Sequence, residues 1–255
     1  MKRITVLAIL LMGAGFLYAQ DAGSIMNSTK NRIKYDTIHT QSRMVITAKN
    51  GKTSEQVIEQ YSKDGPNGAN TVVEIQSPAN VAGIRILSMA TAGGGQDQWI
   101  VVPKLKDREA HRIAANENYM GDVSNDDISS MNRGLSLDTH TLLREETLNG
   151  KSCYVIQSVP KDSSYQYSKT ISWIDKADFL IYKSEMYNRR GELAKVMEMS
   201  NFKDVQGRLT PTQTKISTVA AGTSTTIYIE GIKYDEPIPD QFFTKAFLEA
   251  WPKRK

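Results

Sequence analysis

Short segments that alternate polar and apolar residues fill most of the chain from Ile38 onward, and turn residues separate them. A period of two is typical of β-strands, and Asn50-Gly51 and Asn149-Gly150 are strong hairpin signals. The predicted strands are Ile38–Ala48, Glu55–Ser62, Thr71–Gln76, Ile84–Met89, Gln98–Val102, Thr139–Glu146, Cys153–Val159, Tyr167–Ile174, Phe179–Tyr187, Leu193–Phe202, Thr212–Thr218 and Thr225–Ile232. Such a series predicts a mainly β domain, a sandwich or barrel of eleven or twelve antiparallel strands.

Three segments depart from this pattern. Asp21–Lys34 has a weak helical period, and Asp240 can cap a second helix over Gln241–Ala250. The third segment, Gln98–Ile128, begins as a strand that Pro103 stops and continues with charged residues. A sheet of about eleven strands leaves room for a ligand on its concave face. We expect these three segments to cover that face.

Residues 1–20 have the features of a secretory signal peptide. Lys2 and Arg3 precede the apolar run Ile4–Tyr18, and a cleavage site follows Ala19 or Gln20. The run is too short for a membrane span, and no Cys lies near the cut to carry a lipid anchor. We therefore predict an exported protein with one mature domain, residues 21–255, in the periplasm.

The mature chain is almost neutral and has one cysteine. Removing Lys2 and Arg3 lowers the formal charge from +4 to +2, which argues against nucleic-acid binding. Cys153 lies in an apolar strand pattern and cannot form an internal disulfide, so we predict a buried packing residue. A hydrophobic content of 40% is typical of a globular domain.

The sequence contains no assembled catalytic or metal-binding motif. The three histidines, His39, His111 and His140, are far apart and match no zinc pattern. No nucleophile elbow or phosphate-binding loop is present. We interpret Asp126-Asp127 as N-terminal charges of a helix rather than as catalytic carboxylates. We therefore expect no enzyme activity, no metal and no cofactor.

Several short motifs occur in an order that resembles a known family. They are Trp99-Ile100-Val101-Val102-Pro103, Arg112-Ile113, Met120 to Ile128, Trp173-Ile174-Asp175, Glu185 to Asn188 with Gly191 and Leu193, Pro211-Thr212, and Pro239-Asp240 through Leu248. Together they resemble the outer-membrane lipoprotein-sorting proteins, relatives of the lipoprotein carrier LolA. Two departures stand out: Val123 and Asn125 replace the family's usual aromatic residues, and His111 replaces an arginine.

The resemblance implies an unclosed antiparallel β-barrel of about 11 strands, with helices as a lid over an apolar cavity. It also implies a periplasmic carrier of lipid or lipoprotein acyl chains between the inner and outer membranes. An inner-membrane transporter and an outer-membrane acceptor would then be its partners, with transient membrane contact. The alternative is an accessory or sensor module that acts through protein–protein contacts.

Two sets of residues are the candidate binding sites. The first set consists of residues that we expect to face the cavity, namely Met44, Ile46, Val73, Ile75, Ile84, Ile86, Trp99, Val101, Trp173, Leu180, Tyr182 and Met186. The second set is basic and could contact lipid headgroups or a partner protein, or could simply be solvated: Lys104, Lys106, Arg108 and Arg112.

Overall fold

The computed structural model describes residues 21–92, 95–103, 109–113, 121–123, 127, 134–163 and 165–250. The predicted signal peptide, residues 1–20, lies outside these ranges. The strands are β1 (Thr37–Thr47), β2 (Thr53–Lys63), β3 (Asn70–Ser77), β4 (Arg85–Ala90), β5 (Gln96–Val101), β6 (His111–Arg112), β7 (Asp138–Leu148), β8 (Lys151–Pro160), β9 (Tyr167–Asp175), β10 (Ile181–Asn188), β11 (Leu193–Val205), β12 (Arg208–Thr218) and β13 (Thr223–Tyr234).

All thirteen strands form one antiparallel sheet in the order β6-β5-β4-β3-β2-β1-β13-β12-β11-β10-β9-β8-β7. Consecutive strands are neighbours except at the centre, where β1 pairs with β13. The edge strands β6 and β7 are not paired with each other, so the described sheet is an unclosed barrel. The mainly β architecture predicted from the sequence is confirmed.

The twelve predicted strands are all present, and their bounds shift by only a few residues. The additional strand is β6, a two-residue strand in which Arg112 pairs with Trp99 and His111 with Ile100. The sequence pattern predicts no strand here, because the stretch is the end of a charged segment. A pair this short leaves no alternating pattern from which it could be predicted.

The two faces of the sheet can be followed from strand to strand by the pairing register, because side chains alternate along each strand. Met44 and Ile58 lie on one face, which continues through Val73 to Ile86 on β4. In the other direction the same face continues from Ile46 through Thr225 and Ile216. We call this the inner face and the opposite one the outer face.

A short helix, α1 (Ala22–Lys30), packs on the inner face at the β8–β9 end of the sheet. Its buried residues Ala22 and Ile25 contact Ile156 and Ile174. The predicted helix extended to Lys34, but the chain leaves the helix at Asn31, whose side-chain amide bonds back to the Asn27 carbonyl over 2.9 Å. The helix is too short to be stable alone and depends on this packing.

The expectation that the C-terminal segment covers the concave face is wrong, because this segment packs on the outer face. There Ile238, Phe243 and Leu248 cover Val72 and Leu87. It forms a 3₁₀ turn, Asp240–Phe243, followed by helix α2 (Lys245–Ala250), rather than one continuous helix. The predicted capping role of Asp240 is wrong, because its carboxylate accepts a hydrogen bond from Lys63 Nζ at 2.6 Å instead. Among the described residues, no helix is both long and apolar enough to cross a membrane.

Candidate functional site

The inner face carries an apolar cluster that extends over eight strands. Its buried members are Met44, Ile58, Val73, Ile75, Val123, Tyr167, Met186, Met197 and Ile216, with Ile84, Met199 and Ile227 packed against them. Four methionines contribute to this surface. Methionine is unbranched and polarizable, so it adapts to apolar groups of different shapes. We call this set the inner cluster.

Residues 121–123 and 127, which belong to the third predicted segment, Gln98–Ile128, lie directly on the inner face. We call these four residues the middle segment. Val123 is 5% exposed and belongs to the inner cluster. Gly121 approaches the sheet so closely that an added Cβ would be 2.5 Å from Thr225 Oγ1 and 2.9 Å from Ile46 Cγ1. Its φ of +60° is also a conformation that glycine adopts most readily. Glycine is therefore required here for two independent reasons.

Asp122 fixes this segment to the ends of β12 and β13. Its carboxylate accepts hydrogen bonds from the hydroxyls of Thr218 at 2.6 Å, Thr225 at 3.0 Å and Thr223. Its backbone N–H donates to Thr225 Oγ1 over 2.8 Å. Three accepted hydrogen bonds thus satisfy the carboxylate of a residue that is only 7% exposed, and the backbone N–H makes a fourth.

Asp127 makes a second attachment, to β9 and β11. Its carboxylate forms an ion pair with Lys195 Nζ and accepts a hydrogen bond from the Tyr167 hydroxyl at 2.5 Å. The Lys195 ammonium also donates to the Asp122 carbonyl over 2.7 Å, which links the two attachments. The side chains of Asp127 and Lys195 are only 2% and 12% exposed, so this is a buried ion pair.

These attachments were not predicted from the sequence. The sequence interpretation of Asp126-Asp127 as helix-terminal charges is not contradicted, since Asp127 is helical and Asp126 lies outside the described residues. In addition, Asp127 is a buried anchor that holds the middle segment on the sheet. Asp122 and Asp127 both lie in the motif from Met120 to Ile128 that carries much of the family resemblance. The available signal was therefore the spacing of two acidic residues within that motif.

Seven of the predicted cavity residues lie on the inner face. They are Met44, Ile46, Val73, Ile75, Ile84, Ile86 and Met186. Ile86 forms a smaller cluster with Ile100 and Ile113 that adjoins the inner cluster through Ile84. These residues thus form a common apolar surface, and their contact with a ligand remains a prediction.

Trp99 and Val101 lie on the outer face, so the inward orientation that we predicted for them is wrong. The register places Ile86 opposite Ile100 and Leu87 opposite Trp99, so Trp99 shares a face with Leu87. Both residues pack in the outer cluster beneath the C-terminal segment, and the Lys245 ammonium is 5.1 Å from the centroid of the Trp99 ring.

Trp173 also lies on the outer face, which corrects the same prediction for this residue. It packs with Cys153 and Val155, and its indole N–H donates to Glu146 at 2.6 Å. Tyr182 is half-buried beside the Phe202 ring, with 4.5 Å between the centroids. Leu180 is buried in the turn that precedes β10.

Of the predicted basic surface, Lys104, Lys106 and Arg108 lie outside the described residues. The fourth residue, Arg112, is exposed and forms an ion pair with Asp97 across the edge of the sheet. A role for this surface in headgroup or partner binding remains a prediction.

Cys153 is fully buried, as the sequence predicted. Burial raises the pKa of its thiol, so the reactive thiolate is disfavoured. Among the described residues, no group of three or more His, Cys, Asp or Glu side chains is arranged to hold a metal ion.

Three solved structures have the same fold. A domain assigned to outer membrane lipoprotein sorting from Vibrio parahaemolyticus is 22% identical, with a TM-score of 0.82 over 89% of this chain and 98% of its own. A DUF1329 family protein from Desulfovibrio piger is 22% identical, with a TM-score of 0.81 over 89% and 97%. A LolA superfamily protein from Nitrosomonas europaea is 25% identical, with a TM-score of 0.73 over 90% and 100%.

The unclosed antiparallel sheet is thus the fold of a LolA-like protein. A family profile described only as "uncharacterized protein" matches residues 67–250, which is most of the chain. The chain belongs to this family, within the LolA-like proteins. None of the curated proteins compared with the sequence matches it.

Proposed function

We propose that this protein is a non-enzymatic periplasmic carrier that binds the acyl chains of lipids or lipoproteins on its inner face and moves them between the inner and outer membranes. The observation that carries the proposal is the inner cluster, an apolar surface over eight strands that a separately attached segment contacts. An apolar face under an attached cover is what a carrier requires.

The physical chemistry of burial supports this cargo. Burying one methylene group contributes about 0.8 kcal/mol, so an acyl chain of about 16 carbons could gain on the order of 10 kcal/mol before the costs of binding. The methionines of the inner cluster suit chains of different length and shape. The lipoprotein-sorting assignment of the structural relative from Vibrio parahaemolyticus points to the same class of cargo.

Release would require the cover to move. The middle segment is fixed to β9, β11, β12 and β13 by one ion pair, of Asp127, and by hydrogen bonds of Asp122 and Asp127. Such contacts depend on direction and distance, so a small displacement breaks them together. The proposal therefore assigns these contacts to the closed state, with an inner-membrane transporter as donor and an outer-membrane protein as acceptor.

The test is native mass spectrometry of mature protein purified from periplasm without detergent, followed by lipid extraction. We expect co-purified phospholipid or acylated species, and uptake of a fluorescent fatty acid by the delipidated protein. Ile86→Glu should weaken uptake because it places a charge on the inner face, whereas Val219→Glu, at a side chain that is 48% exposed, should not. A cargo-free mass together with absent uptake would refute the carrier and favour a module that acts through protein contacts.

A further inference from the structure

A row of four uncharged polar side chains crosses the inner face beside its apolar part. Ser62 on β2, Thr71 on β3, Ser88 on β4 and Gln98 on β5 are register partners of one another in that order. Their exposed fractions are 2%, 7%, 3% and 6%, so all four are buried. We call these residues the polar row.

The polar row is only partly satisfied by its own hydrogen bonds. The Ser62 and Thr71 hydroxyls are 2.9 Å apart and bond to each other, and the Gln60 amide donates to Ser62 over 3.2 Å. The Gln98 amide nitrogen, by contrast, is buried without an acceptor among the described residues. An unpaired buried donor is destabilising, so the position of this amide calls for an explanation.

Gln96, two residues before Gln98 on β5, also has buried amide atoms without a partner among the described residues. It follows the same alternation as Gln98 and therefore lies on the inner face. Both its amide nitrogen and its amide oxygen are buried without a partner among the described residues. Two neighbouring amides thus present two unpaired donors and one unpaired acceptor to the same face.

The polar row directly adjoins apolar residues on three strands. Along β3, β4 and β5, the next inner-face residues are Val73, Ile86 and Ile100. A molecule that lies along these strands would meet hydrocarbon first and hydrogen-bonding groups at one end. That order matches an acyl chain that ends in a polar group.

The row carries no formal charge. The charged residues beside it on the sheet edge, Asp97 and Arg112, alternate onto the outer face and pair with each other there. A buried carboxylate or phosphate would have no cation from this row, and burying an unpaired charge is strongly unfavourable. Amide N–H groups and hydroxyls suit a neutral carbonyl oxygen instead.

We infer that the polar row, with Gln96, is the binding site for the neutral ester or amide carbonyl at the head of an acyl chain. The inference rests on the proposed function, since it assigns the polar end of the same ligand. The Gln98 amide nitrogen donates to the carbonyl oxygen, and the Gln96 amide oxygen accepts the N–H of an acyl amide when one is present. The site thus recognises the ester or amide bond at the end of the acyl chain rather than the headgroup beyond it.

The experiment is displacement of an apolar naphthylamine dye from delipidated protein by four probes with similar chains: tridecane, methyl laurate, N-methyl lauramide and laurate. One added hydrogen bond corresponds to a factor of about 5 to 10 in affinity. We therefore expect methyl laurate or N-methyl lauramide to displace the dye at about fivefold lower concentration than tridecane. Preference for the ester would indicate glycerolipid-type cargo, and preference for the amide would indicate N-acylated cargo.

Gln98→Met should abolish the preference over tridecane and leave tridecane itself unchanged. Gln41→Met, at an exposed position of β1, is the matched control and should keep the preference. Ser88→Ala, a smaller change in the same row, should reduce it partially. The melting temperature of free Gln98→Met should be unchanged or higher, because the variant removes an unpaired buried amide.

The outcomes separate the two proposals. If the ester, the amide and tridecane displace the dye equally, or if Gln98→Met keeps the preference, the polar row is not the site, while the carrier proposal stands. If laurate binds better than both neutral probes, the inferred neutrality is refuted. If no probe displaces the dye, the carrier proposal itself fails.

Discussion

Separating the Asp127–Lys195 ion pair should release the middle segment from the inner face. In the native protein the Asp127 carboxylate meets the Lys195 ammonium and the Tyr167 hydroxyl in a site that is almost fully buried. Lys195→Met leaves the Asp127 carboxylate without its ion-pair partner, and Asp127→Asn leaves the Lys195 ammonium without its counter-charge. Removing one partner of a buried pair costs about 3–5 kcal/mol, because the other charge remains uncompensated.

The variants should destabilise the attachment of the segment more than they destabilise the folded sheet. Hydrogen exchange should therefore detect the change first at the Asp122 amide, which donates to Thr225 in the closed arrangement. If the segment detaches while the sheet remains folded, the loss in free energy of unfolding measured in urea should be smaller than the roughly 3–5 kcal/mol expected for the pair. The double variant Asp127→Asn/Lys195→Met should lose less than the sum of the single variants, because it removes both charges together.

The matched control is the exposed pair Arg190–Glu192, whose side chains are 79% and 59% exposed. Arg190→Met should change stability by no more than about 1 kcal/mol, since exposed pairs contribute little. If Asp127→Asn and Lys195→Met exchange and unfold like this control, the pair does not hold the segment and the reasoning is refuted.

Three further results are expected. Gly121→Ala should expose the middle segment to hydrogen exchange and proteolysis, because its new Cβ overlaps Thr225. The control is Gly207→Ala, where φ is +76° and the space around the residue is open, so that only the backbone cost of about 1 kcal/mol is expected. Equal effects of the two variants would exclude the overlap. Ile25→Ala should lower the free energy of unfolding, measured in urea, by about 2–4 kcal/mol, because the packing of α1 depends on this fully buried side chain. A loss below about 1 kcal/mol would show that α1 does not pack on the sheet. The hydrogen bond from the Asp36 amide and the nearby Arg208 lower the pKa of Asp235 in the folded protein. The ionised carboxylate therefore stabilises the fold above the unfolded pKa of about 3.9, and this contribution is lost as pH falls through the folded pKa. Asp235→Asn should therefore flatten the acid side of the stability–pH profile in thermal melts at several pH values, and an unchanged slope would contradict this assignment.

The strands could be predicted because each is encoded locally. Alternation marks the strand itself, and turn residues mark its ends. Asn149 and Gly150, for example, take φ values of +50° and +79°, as the predicted hairpin between β7 and β8 requires. No long-range information is needed for either observation.

The faces of neighbouring strands could not be predicted in the same way. Alternation places Trp99 and Val101 together, but it does not say whether they share a face with Ile86 or with Leu87. That choice depends on the register across the β4–β5 connection, which pairs Ile86 with Ile100. A register that differs by one residue reverses the assignment, which is why the inward prediction failed for these two residues.

The attachments of the middle segment depend on partners far away in the chain. Asp127 meets Lys195 over 68 positions, and Asp122 meets Thr225 over 103. Neither partner belongs to a motif that marks it as such. A buried ion pair of this kind can be found in a sequence only when both members are already known to lie on the same face.

The pairing of β1 with β13 has a consequence for how the protein is made. The strands that come first and last in the sequence, β1 and β13, are neighbours at the centre of the sheet, and Ile38 is the register partner of Tyr234. As the chain emerges N-terminus first from a ribosome or translocation pore, β1 must wait for nearly the whole sequence before its second neighbour arrives. Each half can form hairpins early, but joining them closes a very long loop, which is slow. The unfinished sheet exposes the open edge of β1 throughout this time, and an exposed strand edge favours pairing with other chains.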